Sequence, residues 1–424
     1  MCFTCSFLFA MGQLLAGLFL LEELMGLFLK LQRMDNTPKL AVISFFASLY
    51  FYNHIGTLYL QTRGLSLLQV NSIWSIIMVA ALLAEVPTGV LADKIGRKWS
   101  VIIALFIQAA GEFLYLFADS YLVFALIAAL AGIGYAFFSG AGEALMYDSL
   151  PKDNRETLMK KAMGYIGSWH QTAFFVAPIV GGLIVSQLTI SKFLLAILFT
   201  AISVSIAFLV SFTLVEPKES YTHPELPPWE ILKDGLRLLF THKQLQWIVA
   251  ISVFTNSFSN SLLNLYQPYL VQHRVSSSMA LGVSLSVGSL LAIVLLRNIN
   301  KIEKVVGQSR SLIVFSLIPA VFYIFLSFSS SVWTIIPLFI FTLSVADLKN
   351  PLLSSYQNIH IPSHNRATVL SLISMLSKIY IAIASLIIGF VADHSVSRAY
   401  LMIGLIIIAF SLITRADKYA STSN

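Results

Sequence analysis

From residue 38 to residue 415 the chain is a succession of apolar runs, separated by turns too short to be domains. A helix crosses the hydrocarbon core of a bilayer with about 20 apolar residues. Lipid offers no partner to an exposed amide or carbonyl, so such runs must be helical. Twelve spans are read, over 38–60, 68–92, 99–118, 121–147, 162–186, 191–215, 245–270, 276–297, 310–328, 331–355, 367–391 and 398–415. Charged residues are only 11% of the chain, whereas soluble domains carry about 25%. The expected class is an all-α polytopic membrane protein.

A net charge of +7 could suggest nucleic acid as a partner. The charges lie in short loops between apolar runs, however, and so report topology. One set of turns holds Lys94, Arg97 and Lys98, then Lys152, Arg155, Lys160 and Lys161. The same side continues with Lys218, Lys233, Arg237 and Lys243, then Lys301, Lys304, Arg310 and Arg366. The opposite turns hold Arg63, Lys192, Arg274 and Arg398. Basic residues accumulate on the cytoplasmic side, which puts the richer set and the C-terminus there, in a cell membrane. Cys2 and Cys5 both fall in the first five residues, which leaves no disulfide framework or metal-thiolate site. No metalloprotease, P-loop or nucleophile-elbow pattern is present, and neither an enzyme nor a resident cofactor or metal is expected.

Residues 3–29 are apolar but interrupted by Glu22 and Glu23. Residues 1–37 are read as an extension: an upstream start or peripheral segment, or else an additional span or anchor. The long polar connector, 217–244, contains Pro217, Pro224, Pro227 and Pro228. Its 229–240 stretch places Trp229, Ile231, Leu232, Leu236, Leu239 and Phe240 mostly on one helical face, as an interfacial helix would. The alternative is a solvated linker. It divides 38–216 from 245–424. A repeat supports the division: Pro151, Asn154, Arg155 and Thr157 recur as Pro362, Asn365, Arg366 and Thr368. Gly89, Ala92 and Asp93 are echoed by Gly389, Ala392 and Asp393. Halves built from such repeats, with a site between them, are the usual plan of secondary transporters.

The turn Gly89-Val-Leu-Ala-Asp93-Lys94-Ile-Gly96-Arg97-Lys98 resembles the G-x-L-A-D-R-x-G-R-K signature of major facilitator superfamily transporters. The resemblance implies two six-helix bundles related by a pseudo-twofold axis, working by alternating access. It makes Gly89, Asp93, Lys94, Gly96, Arg97 and Lys98 a gate motif, with Asp93 and Arg97 holding the outward-open state. In span five, Ala177-Pro178-Ile-Val-Gly181-Gly182 is similar to the G-P-x-x-G-G element of the family's exporters, with Ala for the first Gly. Two departures stand out. The Arg that exporters often carry in span four is missing before Gly132-Ile-Gly134, which puts an Arg-assisted proton step in doubt. The second-half counterpart of the basic turn, near Arg297 and Lys301, lacks the glycines and the aspartate, which suggests an asymmetric gate.

Ionisable groups inside spans are costly and are functional candidates by default. Glu85, Glu112, Glu143 and Asp148 are the candidate proton carriers, with a structural pair as the alternative for Glu112. Glu143, Tyr147 and Asp148 are read as a gate network. Lys378 is too deep to reach water and needs a carboxylate or an anionic substrate; Asp347 is its expected partner. Tyr50, His54, Trp169, His170, Gln171, Asn260, Asn264, Asp347 and Lys378 are candidate cavity residues, with an interhelical hydrogen bond as the alternative for each histidine and a mutual pair as the alternative for Asp347 and Lys378. Asn256, Asn260, Asn264 and Gln267 form a polar stripe at helical spacing, while Gly132, Ala136 and Gly140 read as a packing seam.

The expected function is a monomeric secondary transporter, exporting a small amphiphilic compound or drug in exchange for protons. Uptake or exchange of an anionic metabolite, with Lys378 as counter-charge, is the alternative. A receptor or scaffold that keeps the fold without transport is a third.

Overall fold

The computed structural model describes residues 33–217, 233, 237, 240–241, 243–256, 258–361 and 366–414. The apolar segment 3–29, the connector from residue 218 to 232 and the repeat residues 362–365 lie outside the described residues. Among the described residues ten helical stretches are long and apolar enough to cross a membrane. The first span, interrupted, and the fifth, Arg155–Ile184, bring the bundle to the expected twelve.

Three spans read as continuous helices are broken. The first consists of Asn36–Ala47 and Gly56–Thr62. The seventh consists of Lys243–Phe254 and Ser259–Gln272, and the tenth of Val332–Ala346 and Lys349–His360. Hydropathy does not see such breaks, because they are short and the runs on either side of them remain apolar. What permits them is that neighbouring side chains take over the backbone groups that the helix releases. At the first break Thr200 Oγ1 accepts the Phe51 N–H at 3.1 Å and Gln108 donates to Ala47 O at 3.2 Å. At the seventh, Asn256 Oδ1 accepts the Phe258 N–H at 2.8 Å, and Phe258 takes a left-handed φ of 53°.

The other spans are Leu67–Ile95, Arg97–Tyr115, Tyr121–Asp148, Ile190–Ser211, Ser278–Arg297, Gln308–Phe328, Arg366–His394 and Val396–Thr414. Span five begins at Arg155 rather than near 162, so Lys160 and Lys161 ride on the helix and not in a turn. A short helix, Ile299–Val306, joins spans eight and nine.

Within the first bundle, spans two and four approach closely where Gly132 faces Ile77; a Cβ there would lie 2.4 Å from Ile77 O. Gly140, the other end of the expected seam, instead borders a groove shared with Glu85, Asp93 and Arg97. The bundles meet chiefly through span two against span eleven and span five against span eight.

Candidate functional site

At the end where spans two and eight begin, the bundles are sealed together. Gln267 accepts the Thr57 N–H at 2.8 Å and donates to Asn53 O at 3.1 Å. Tyr266 donates to His54 O at 3.0 Å, and His54 Nε2 lies 3.0 Å from Ser278 Oγ. The Leu67 N–H donates to Asp393 at 2.5 Å, and Ser75 donates to Ala382 O at 2.7 Å. Small residues make this approach possible. Across the bundles a Cβ on Gly282 would fall 2.2 Å from Pro178 O, and within the first bundle one on Gly181 would fall 1.8 Å from Phe51 O. The exporter-like element of span five is thus part of the seal, with Gly182 against Met279.

Below the seal, a cavity of about 390 Å³ lies between the bundles. Trp74, His170, Gln171 and Phe174 line it from the first bundle, and Asn256, Phe258, Ser259, Asn260, Ser289, Ser344 and Asp347 from the second. Among the described residues Asp347 is the only carboxylate on its walls, and no lysine or arginine lines it. The carboxylate accepts from Ser259 at 3.3 Å and from Asn350 at 3.2 Å. The indole N–H of Trp74 is buried and has no hydrogen-bond partner among the described residues. The breaks in spans seven and ten put these polar groups here, because each break turns cap residues toward the cavity.

Further along, Lys378 Nζ donates to Glu85 Oε2 at 2.6 Å across the two bundles. This corrects the expected partnership with Asp347. Toward the basic turns beyond that pair, no hydrogen bond joins the bundles among the described residues. Gly89, Gly164 and Gly167 there face open space.

In this structure Asp93 and Arg97 do not clasp the basic turn; their pairing is expected for the outward-open state. Gly96, at φ 98°, ends span two and begins span three with no residue to spare. Arg97 pairs with Asp148 at the end of span four. Glu216 accepts the backbone N–H groups of Arg97 and Lys98 at 2.9 and 2.7 Å, which places negative charge on the N-terminus of span three. Among the described residues Asp93 makes no ion pair. Glu143 is exposed and Tyr147 stacks under Arg155 at 5.0 Å, so the expected Glu143–Tyr147–Asp148 network is divided among separate partners.

Glu112 stands apart from the cavity. It is 8% exposed, and Tyr52 Oη lies 3.2 and 3.0 Å from its two oxygens. Gln108 donates to the neighbouring Tyr50 hydroxyl at 2.9 Å.

A family model described as Major Facilitator Superfamily matches residues 40–385. The chain belongs to the Major Facilitator Superfamily. As a superfamily member it is an integral, multi-pass secondary transporter with a small-molecule substrate. The uncharacterized MFS-type transporter YxaM of Bacillus subtilis is 24% identical over 366 residues, covering 84% of this chain and 90% of that protein. The quinolone resistance protein NorA of Staphylococcus aureus is 23% identical over 218 residues, covering 51% of this chain and 53% of its own. The crystal structure of the nucleoside transporter NupG shares the fold at a TM-score of 0.71 and 14% identity, over 91% of this chain and 99% of that one. A D-xylose-proton symporter does so at 0.71 and 15%, over 89% and 96%.

Of the cavity residues expected from sequence, the superfamily fold brings together His170, Gln171, Asn260 and Asp347. Tyr50 is held by Gln108, His54 belongs to the seal, and Asn264 donates to Asn71 at 3.4 Å. Trp169 packs edge-on against Phe45, and Lys378 is paired with Glu85. Sequence reasoning missed Trp74, which no spacing separates from a lipid-facing tryptophan. It also missed two buried lysines: Lys39, which donates to Thr213 O at 2.8 Å, and Lys349, which donates to Thr255 Oγ1 at 2.9 Å. Their signal was available, since each is a lysine inside or beside an apolar run.

Proposed function

We propose that this chain exports a small amphiphilic solute, neutral or cationic, in exchange for protons, by alternating access around the cavity between its bundles. The observation that carries this reading is the cavity wall. Trp74, Phe174 and Phe258 offer apolar and aromatic surface, the amides and serines offer hydrogen bonds, and Asp347 offers the single formal charge among the described residues. A site of this make-up suits an organic cation or a neutral polar aromatic, and its size falls within the range of about 300–1,000 Å³ usual for small-molecule sites. The unpartnered Trp74 N–H favours a solute with an acceptor group.

The anionic alternative rested on Lys378 as counter-charge. That lysine is engaged by Glu85 and is absent from the cavity wall, so nothing in the site favours an anion.

The excess of basic residues at the open end supports a cytoplasmic location for that end. The structure is then an inward-open state, loaded from the cytoplasm. Export as the direction rests on the span-five element and on the likeness to NorA. For proton coupling, Glu112 is the favoured carrier: Glu85 and Asp148 are paired with cations, and Glu143 is exposed.

The test is flux in proteoliposomes over a panel of cationic, neutral and anionic solutes, with and without a pH gradient. Uphill movement of cationic or neutral solutes against an inward proton flow is the expected result. Transport confined to anions, or flux indifferent to the gradient in every case, defeats the reading.

A further inference from the structure

The buried carboxylate Glu112 and the seal between the bundles share one segment, the break in span one. Tyr52 in that break contacts both Glu112 oxygens. The next residues, Asn53 and His54, present their carbonyls to Gln267 and Tyr266 of the other bundle. The preceding residue, Phe51, lays its carbonyl against Gly181. Five consecutive residues, Tyr50 to His54, thus run from the carboxylate cage to the seal without a helical hydrogen-bond ladder to stiffen them.

The cage is suited to a neutral acid. The ionisable groups facing Glu112 are Tyr50 and Tyr52 from the break and Tyr115 from its own span, with Tyr59 behind Tyr115. Span four turns Phe124 and Ile127 toward the cluster, and span six turns Phe193 toward Tyr59. No basic residue pairs with Glu112 among the described residues. An ionised carboxylate sealed from water with only hydroxyls around it is strongly disfavoured. A protonated one is satisfied, because Tyr52 donates to one oxygen while the acid proton is given back to the tyrosine oxygen.

We propose that the charge state of Glu112 sets the seal through Tyr52: the neutral acid holds the span-one break closed against Gln267 and Tyr266, and ionisation unseats it. This rests on the proton-coupled reading above and assigns Tyr52 and Gln267 as the positioning residues that convey the proton to the seal. The sign suits an exporter. A proton taken up from outside closes the outer end, and its loss readies that end to open.

The experiment is a distance measurement between spin labels on the full chain in lipid nanodiscs. Cysteines are introduced at the exposed outer positions Ser191 and Ser276 in a Cys2→Ser, Cys5→Ser background. From about pH 5.5 to about pH 8.5 the ratio of sealed to open populations is expected to fall about tenfold or more, as for a group ionising preferentially in one state. Glu112→Gln, a permanent neutral stand-in, is expected to stay sealed throughout. Tyr52→Phe and Gln267→Ala are expected to open the outer end at both pH values. The link is overturned if Glu112→Gln follows the wild-type pH response, or if Tyr52→Phe and Gln267→Ala both leave the distances unchanged. Flux measured in parallel separates the two claims. Proton-driven flux with pH-insensitive distances overturns the link alone. Distances that lose their pH response in Glu112→Gln, with flux indifferent to a gradient, support the link and remove the proton-coupled function.

Discussion

Lys378 of span eleven donates to Glu85 of span two at 2.6 Å, the one ion pair between the bundles among the described residues. The lysine side chain is 10% exposed and the carboxylate 34%. Removing one partner strands the other in a poorly hydrated place, whereas removing both strands neither. Lys378→Met alone is expected to cost ~1–3 kcal/mol of stability, less than for a fully buried pair because water reaches Glu85. The double variant with Glu85→Gln should cost less than either single one, read from thermal unfolding in detergent. A double variant as unstable as the sum of the singles would show that the pair contributes nothing as a pair.

Asp347 supplies the only carboxylate on the cavity wall among the described residues. Asp347→Asn is expected to weaken binding of an organic cation such as tetraphenylphosphonium by about tenfold or more, the scale of one charge-assisted contact of ~1.5–3 kcal/mol. Binding of a neutral solute of similar size should change little. Equal losses for both would assign Asp347 a structural role.

Gly282 approaches Pro178 of the other bundle so closely that even one carbon more meets backbone, not a side chain that can swing away. Gly282→Val should therefore keep the outer end from closing. A cysteine introduced at Thr57, which is 2% exposed in the seal, should then react with a membrane-impermeant maleimide markedly faster than in the glycine background. An unchanged rate would mean that the seal is made elsewhere.

At the basic turn, Arg97 is paired with Asp148 and not with Asp93. Asp148→Asn is expected to lower transport more than Asp93→Asn does. Glu216→Gln should cost ~0.5–1 kcal/mol, because a charge at the N-terminus of span three is lost. A reversed order of the two aspartate variants in a flux assay would restore Asp93 to the centre of the gate.

Much of this was legible in the chain. The twelve apolar runs, the side on which basic turns collect and the Gly89–Lys98 motif all follow from neighbours in sequence. His170, Gln171, Asn260 and Asp347 were recognisable as cavity residues because a polar group in an apolar run has few other reasons to be there. Tyr50, His54 and Asn264 met the same criterion and went to interhelical bonds instead. Residue type alone does not separate the two outcomes. Trp74 is the converse: an apolar residue whose N–H matters only because of what surrounds it.

The sequence by itself determined the class, the span count and the superfamily, because hydropathy and turn chemistry are local properties. Tertiary structure decided where spans one, seven and ten break, since a broken helix in lipid survives only where neighbouring side chains receive its backbone groups. It also decided the charge partners. Lys378 had a carboxylate at hand in Asp347 and took Glu85, 293 residues away in the chain, because packing of span eleven on span two brings those two together. A buried charge pairs with what lies beside it in space, and only the fold says what that is.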